Sequence, residues 1–193
     1  MFFNIQDLEK RANSKSLTES FASYELSSLN KSFDASKTYD IFLSHSYLDA
    51  KHIKLIRDDL ISLGYSVYVD WIEDKSLDRT QVTSETAEQL RIRMKQSKCL
   101  FYATTENYQK SNWMPWELGY FDALKDKVAI LPVKSRPDSS EQYNGTEYLG
   151  LYSYITLTED TKQNECLWVN NNKDEYVKFD EWLEGKKPFI RNN

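Results

Sequence analysis

From Thr38 to Val133 the hydrophobic period of the chain switches repeatedly, and that alternation restricts the possible folds more than any other feature. Four short apolar runs rich in Val, Ile, Tyr and Phe read as strands: "YDIFLSH" (39–45), "YSVYVDW" (65–71), "KCLFYAT" (98–104) and "KVAILPV" (127–133). Between them the spacing is helical. "LDAKHIKLIRDDLISLG" (48–64) sets Leu48, Ile53, Ile56, Leu60 and Leu63 on one stripe and closes at Gly64. "VTSETAEQLRIRMKQS" (82–97) predicts a second helix, and "SNWMPWELGYFDAL" (111–124) opens a third. Strand and helix in this order and at these spacings predict a parallel sheet with helices on both faces, doubly wound by right-handed crossovers. Such sheets bind ligands at the carboxyl ends of their strands, which nominates the loops "SHSY", "DWIEDKSLDR" and "TENYQKSNW". Further on, "YITL" and "CLWV" predict a fifth strand with a hairpin partner, and "DEYVKFDEWLEG" (174–185) a final helix ending at Gly185.

Residues 1–36 differ from the rest of the chain. They are rich in Ser, Lys and Asn, Ser16-Leu17-Thr18-Glu19 fits a capping box, and Leu17, Phe21, Tyr24, Leu29 and Phe33 recur at roughly helical spacing. We expect an N-terminal helical extension over 1–36, serving as a packing arm, and a main domain over 37–190. With 193 residues of which 40% are apolar, the chain can bury a sizeable core. Its net charge of −5 is spread without a basic face, which argues against a nucleic-acid partner. No apolar run nears the roughly 18 residues that span a bilayer. "MFFNIQDLEKR" has neither a basic leader nor a cleavage site, so a cytoplasmic location without membrane association is expected. Cys99 and Cys166 lie in "KCLFY" and "ECLWV", away from any CxxC or histidine spacing; both are expected to be core thiols, with no metal site.

The common chemistries of doubly wound sheets are missing. Neither GxxxxGK[ST] nor GxGxxG occurs, and the chain holds five glycines in all. A phosphorylation receiver needs an acidic pair after its first strand and an aspartate after its third; here stand Ser44-His45 and Ala103-Thr104. No GxSxG elbow is present, and His45 and His52 fit no triad order. What remains is Glu117, placed among Trp113, Met114, Pro115, Trp116 and Leu118. If Asn112 caps the helix, Pro115 falls in the first turn, where its missing N–H costs nothing, and Trp113 and Glu117 stack on one face. Trp116 then points about 100° away and reads as structural.

The order of the blocks "YDIFLSHS", "LGYSVYVD", "MKQSKCLFYATTENYQKSNWMPWEL" and "VAILPV" resembles a Toll/interleukin-1 receptor (TIR) domain, with Trp113 and Glu117 fitting the WxxxE pattern of its enzymatic members. The resemblance implies an α/β, doubly wound, flavodoxin-like parallel sheet. It also implies cleavage of the nicotinamide–ribose bond of NAD⁺, taken as substrate with no cofactor besides, giving ADP-ribose in linear, cyclic or base-exchanged form. Glu117 would be the catalytic carboxylate and Trp113 the wall of its pocket. His45 and Ser46 fall where the family contacts substrate after the first strand, Asp70 matches an acidic position at the end of the second, and Trp71 and Lys75 lie in the loop that would cover the site, as contacts for base and phosphate. The chain is similar to bacterial TIR proteins of the Thoeris antiphage type. That likeness implies self-association through TIR contacts and a diffusible nucleotide read by a separate effector protein. Two alternatives stand beside this reading: a non-enzymatic TIR scaffold using exposed aromatics such as Tyr108 or Trp71, and a nucleoside deoxyribosyltransferase-like enzyme.

Overall fold

The longest apolar runs occupy the middle of the sheet, where both faces are covered, as parallel pairing demands. A computed structural model describes residues 1–13, 36–74, 82–137 and 142–190. Its strands are β1 (Phe3–Asn4), β2 (Tyr39–Ser44), β3 (Val67–Tyr68), β4 (Ser97–Thr104), β5 (Val128–Lys134), β6 (Tyr154–Glu159), β7 (Glu165–Asn170), β8 (Glu175–Lys178) and β9 (Phe189–Ile190). The helices are α1 (Ile5–Ala12), α2 (Ala50–Ser62), α3 (Asp70–Glu73), α4 (Ser84–Gln96), α5 (Trp113–Lys125) and α6 (Phe179–Leu183).

The sheet runs β3-β2-β4-β5-β6-β7-β8-β9. From β3 to β6 every pair is parallel, and from β6 to β9 every pair is antiparallel. The expected parallel sheet with a hairpin partner at its end is therefore present. Strand alternation sorts the core into two layers. Ile41, Leu43, Phe101, Ala103, Leu131 and Val169 face one way, together with Leu8, Ile53, Ile56, Leu60 and Trp182 from the helices. Phe42, Leu100, Tyr102 and Ile130 face the other, with Leu90, Met94, Trp113, Met114, Leu118 and Phe121 from α4 and α5. Gly64 closes α2 at φ +97°, a conformation that costs glycine nothing.

Three expectations change. "YSVYVDW" is a strand only at Val67–Tyr68, because the N–H groups of Ile72 and Glu73 turn back to the Val69 carbonyl and start α3. Asp70 therefore opens a helical turn instead of ending a strand, and Trp71 follows it there. Residues 175–178 form β8 in place of the start of the final helix, since Val177 pairs with Val169 and is fully buried; α6 begins only at Phe179. Cys99 is a core thiol, its pKa pushed well above the ordinary value by burial, but Cys166 is only partly buried.

At the N-terminus, β1 wedges between diverging β5 and β6. Phe3 and Asn4 pair with Val133 and Lys134, while Met1 and Leu157 exchange backbone hydrogen bonds of 2.9 and 3.0 Å. Asn4 then caps α1 by accepting from the Asp7 N–H. The helical pattern expected over 16–33 lies outside the described residues. Among those described, no helix is long and apolar enough to cross a membrane.

Candidate active site

The sheet order reverses between β2 and β4, since the chain crosses from β2 to β3 on one side and then to β4 on the other. In open α/β sheets ligands bind at such a switch point, at the carboxyl ends of the strands. Glu117 stands at it. The carboxylate is fully buried, and its Oε2 accepts a 2.6 Å hydrogen bond from the hydroxyl of Ser44, the last residue of β2. Ser44 is in register with Tyr102 of β4. Burial chiefly, then neighbouring Tyr148 and Tyr108, hold the Tyr102 hydroxyl above its ordinary pKa, and the charge of Glu117 adds to the effect.

Local sequence explains how Glu117 reaches this place. Asn112 occupies the cap position of α5 with helical dihedrals and makes no side-chain cap bond; Ser111 Oγ takes that role instead, accepting from the Met114 N–H at 3.3 Å. Pro115 sits exposed in the first turn, as expected. Trp113 and Glu117 are one turn apart on the same face, and Trp113 is 7% exposed. Trp116 belongs to another row, meeting Trp113 edge-on, stacking on Tyr120 and lying under the Arg91 guanidinium.

The remaining candidates form a second group. His45 Nδ1 lies 2.9 Å from the Leu43 carbonyl, and its Nε2 lies 3.1 Å from Trp71 Nε1. Asp70 Oδ1 is 3.5 Å from that same Nε2. His45 and Asp70 are both buried, while Trp71 is partly exposed. Ser46 is also buried; it heads the short 3₁₀ turn Tyr47–Asp49, with its carbonyl accepting from the Asp49 N–H. Lys75 lies outside the described residues.

Several residues that shape this rim carried no clear signal in the sequence. Ser44 is the partner of Glu117. Asp49 joins the loop after β2 to the loop after β4, accepting from Thr105 Oγ1 at 2.5 Å and Asn107 Nδ2 at 2.7 Å. Both loops were nominated by the strand-end rule, and short polar side chains within them were the available clue. The start of the loop after β3 is pinned by buried charge. Arg93 grips Asp74 through two hydrogen bonds of 2.6 and 2.7 Å, Tyr68 donates to the same carboxylate, and Arg57 and Lys37 bind Glu73.

The TIR domain family profile matches residues 41–167, from β2 into β7, and so spans both groups of candidates. The chain belongs to the TIR domain family. A TIR-family relative from Bacillus cereus (strain MSX-D12), named as a probable 3′ cyclic ADP-D-ribose synthase, ThsB′, is 54% identical over 158 residues, covering 80% of each chain. A protein of Cytobacillus dafuensis, provisionally named as the cyclic ADP-D-ribose synthase TIR2, is 39% identical over 85 residues, 44% of this chain and 22% of its own length. A looser likeness joins this TIR chain to the crystal structure of the TIR domain of the Toll-related receptor TRR-2 from Hydra magnipapillata. There the identity is 20% and the TM-score 0.41, over 57% of this chain and 77% of that one.

Proposed function

We propose that this TIR protein cleaves the nicotinamide–ribose bond of NAD⁺ and closes the remaining ADP-ribose into a ring; both relatives carry names of cyclic ADP-D-ribose synthases. The observation that carries the reading is Glu117, a carboxylate sealed from water at the switch point and oriented by Ser44. Nicotinamide departs as a neutral base, so no acid is required; the electron pair of the C–N bond leaves with the ring nitrogen. Positive charge then builds on the ribose, as in other oxocarbenium-like transition states. Glu117 in its carboxylate form stabilises that charge, and in a dry site it does so more strongly than in water. A hydroxyl oxygen of the substrate attacks the electron-poor carbon and loses its proton, which balances the reaction. Trp113 walls the site, while Asp70, Trp71, Ser46 and Lys75 complete its substrate side. Because Glu117 is enclosed in the described arrangement, substrate entry requires the site to open. No cofactor is needed beyond NAD⁺ as substrate.

We further propose that the protein self-associates and passes its product to a separate effector protein, in defence against phage and in the cytoplasm. Tyr47 and Leu48, 70% and 63% exposed on the turn after β2, favour self-association at this rim. Incubating the purified protein with NAD⁺ and identifying products by mass tests the reading. The wild type should release nicotinamide and a cyclic ADP-ribose, and Glu117→Gln should lower the rate by about 10²-fold or more. A Glu117→Gln protein of wild-type activity would remove this residue from the mechanism.

A further inference from the structure

The surroundings of His45 fix its protonation pattern. Leu43 offers a carbonyl oxygen, which can only accept, so Nδ1 carries the hydrogen and donates it over 2.9 Å. Trp71 offers an indole N–H, which can only donate, so Nε2 is the acceptor at 3.1 Å. Both ring nitrogens are thus engaged, Nδ1 as donor and Nε2 as acceptor. The ring is 1% exposed, so both of its nitrogens are taken up by partners inside the protein. Asp70 Oδ1, 3.5 Å from Nε2, faces a nitrogen whose lone pair is already given to Trp71.

Trp71 differs on each of these points. Its indole is partly exposed, its N–H is tied inward, and it sits on α3, the helical turn that replaces the end of the second predicted strand. That turn is held by the bonds from Ile72 and Glu73 to Val69 and by the buried pairs of Glu73 and Asp74. The backbone under Trp71 is therefore fixed, and the hydrogen bond to His45 fixes the ring.

We infer that His45 is a positioning residue, which orients the Trp71 indole through Nε2, and that Trp71 is the member of this pair that meets the substrate. The inference rests on the NAD⁺-cleaving reading and assigns His45 no contact of its own. A ring oriented before binding loses little freedom when substrate arrives, so the contribution falls on binding more than on the chemical step.

The test is a double-mutant cycle in nicotinamide release from NAD⁺, using the full chain with His45→Phe, Trp71→Phe and the pair together. Each single change should raise KM roughly 2- to 10-fold, the range for one lost hydrogen bond, with kcat less affected. The double variant should be no worse than Trp71→Phe, because His45 acts only through the indole hydrogen that phenylalanine lacks. His45→Gln, whose amide oxygen can accept from Trp71, should recover part of the loss. Multiplying effects in the double variant, or a fall in kcat alone for His45→Phe, would overturn the inference. A wild type that releases no nicotinamide would instead overturn the parent reading, and with it the substrate contact. The same four proteins compared by thermal unfolding would then still test the orienting bond, strictly additive shifts counting against it.

Discussion

The carboxyl-end rim of the parallel strands and the antiparallel half of the sheet handle charge in different ways. At the rim, Asp49, Asp70, Glu73, Asp74 and Glu117 are all buried. In the antiparallel half, the pair of Asp160 and Lys178 is only partly enclosed, with side chains 9% and 35% exposed. Burying a carboxylate is costly unless specific donors meet it, so a cluster of buried ones marks a region selected for something besides stability. The described donors are indeed specific: a guanidinium fork for Asp74, an amide and a hydroxyl for Asp49, a serine hydroxyl for Glu117. These bonds join the loop after β2 to the loop after β4 and anchor Asp74 at the end of the described part of the segment after β3, while the antiparallel strands extend the sheet beyond them.

Breaking one clamp should expose the contrast most strongly. Arg93→Met removes the guanidinium from Asp74, whose side chain is 1% exposed, and should destabilise the fold by about 3–5 kcal/mol, measured by chemical denaturation. A loss below about 1 kcal/mol would show that the buried rim charges behave like surface ones. Ser44→Ala takes a donor from the buried Glu117 carboxylate and should cost about 1–3 kcal/mol. If the serine also orients Glu117 for reaction, nicotinamide release should fall further than stability alone explains. In the antiparallel half the effects should be small and visible mainly in acid. Asp160 has its pKa lowered to about 2, first by the hydrogen bond from Lys178 and then by the Asn164 and Lys162 N–H groups. A depressed carboxylate stabilises the fold above its unfolded pKa and loses that contribution as pH falls through the folded value, here between about 4 and 2. Lys178→Met should raise the Asp160 pKa, seen by NMR titration, and flatten the fall of stability across that window while leaving neutral pH nearly unaffected.

Period and strand-end rules made much of this architecture legible in the sequence. β2, β4 and β5 are short apolar runs that read as strands from their composition, and the WxxxE pattern of the TIR resemblance drew attention to Glu117 and Trp113. What escaped was non-local. "YSVYVDW" keeps a strand-like pattern to its end, but Glu73 and Asp74 are drawn to Arg57 on α2 and Arg93 on α4, and the chain turns early. "DEYVKFDEWLEG" satisfies both periods, so only pairing of Val177 with Val169 decides for a strand at its start. Ser44 at a strand end and Asp49 in a helical run carry no signal of their own until the fold sets Glu117, Thr105 and Asn107 beside them.

In the proposed reaction a sealed carboxylate at the switch point, Glu117, drives loss of nicotinamide from NAD⁺. The most direct measurement is nicotinamide release by wild type and by Glu117→Gln at matched thermal stability. The wild type should turn over, and Glu117→Gln should be slower by about 10²-fold or more. Equal rates, or no release by an intact wild type under any condition of assembly, would contradict the proposal.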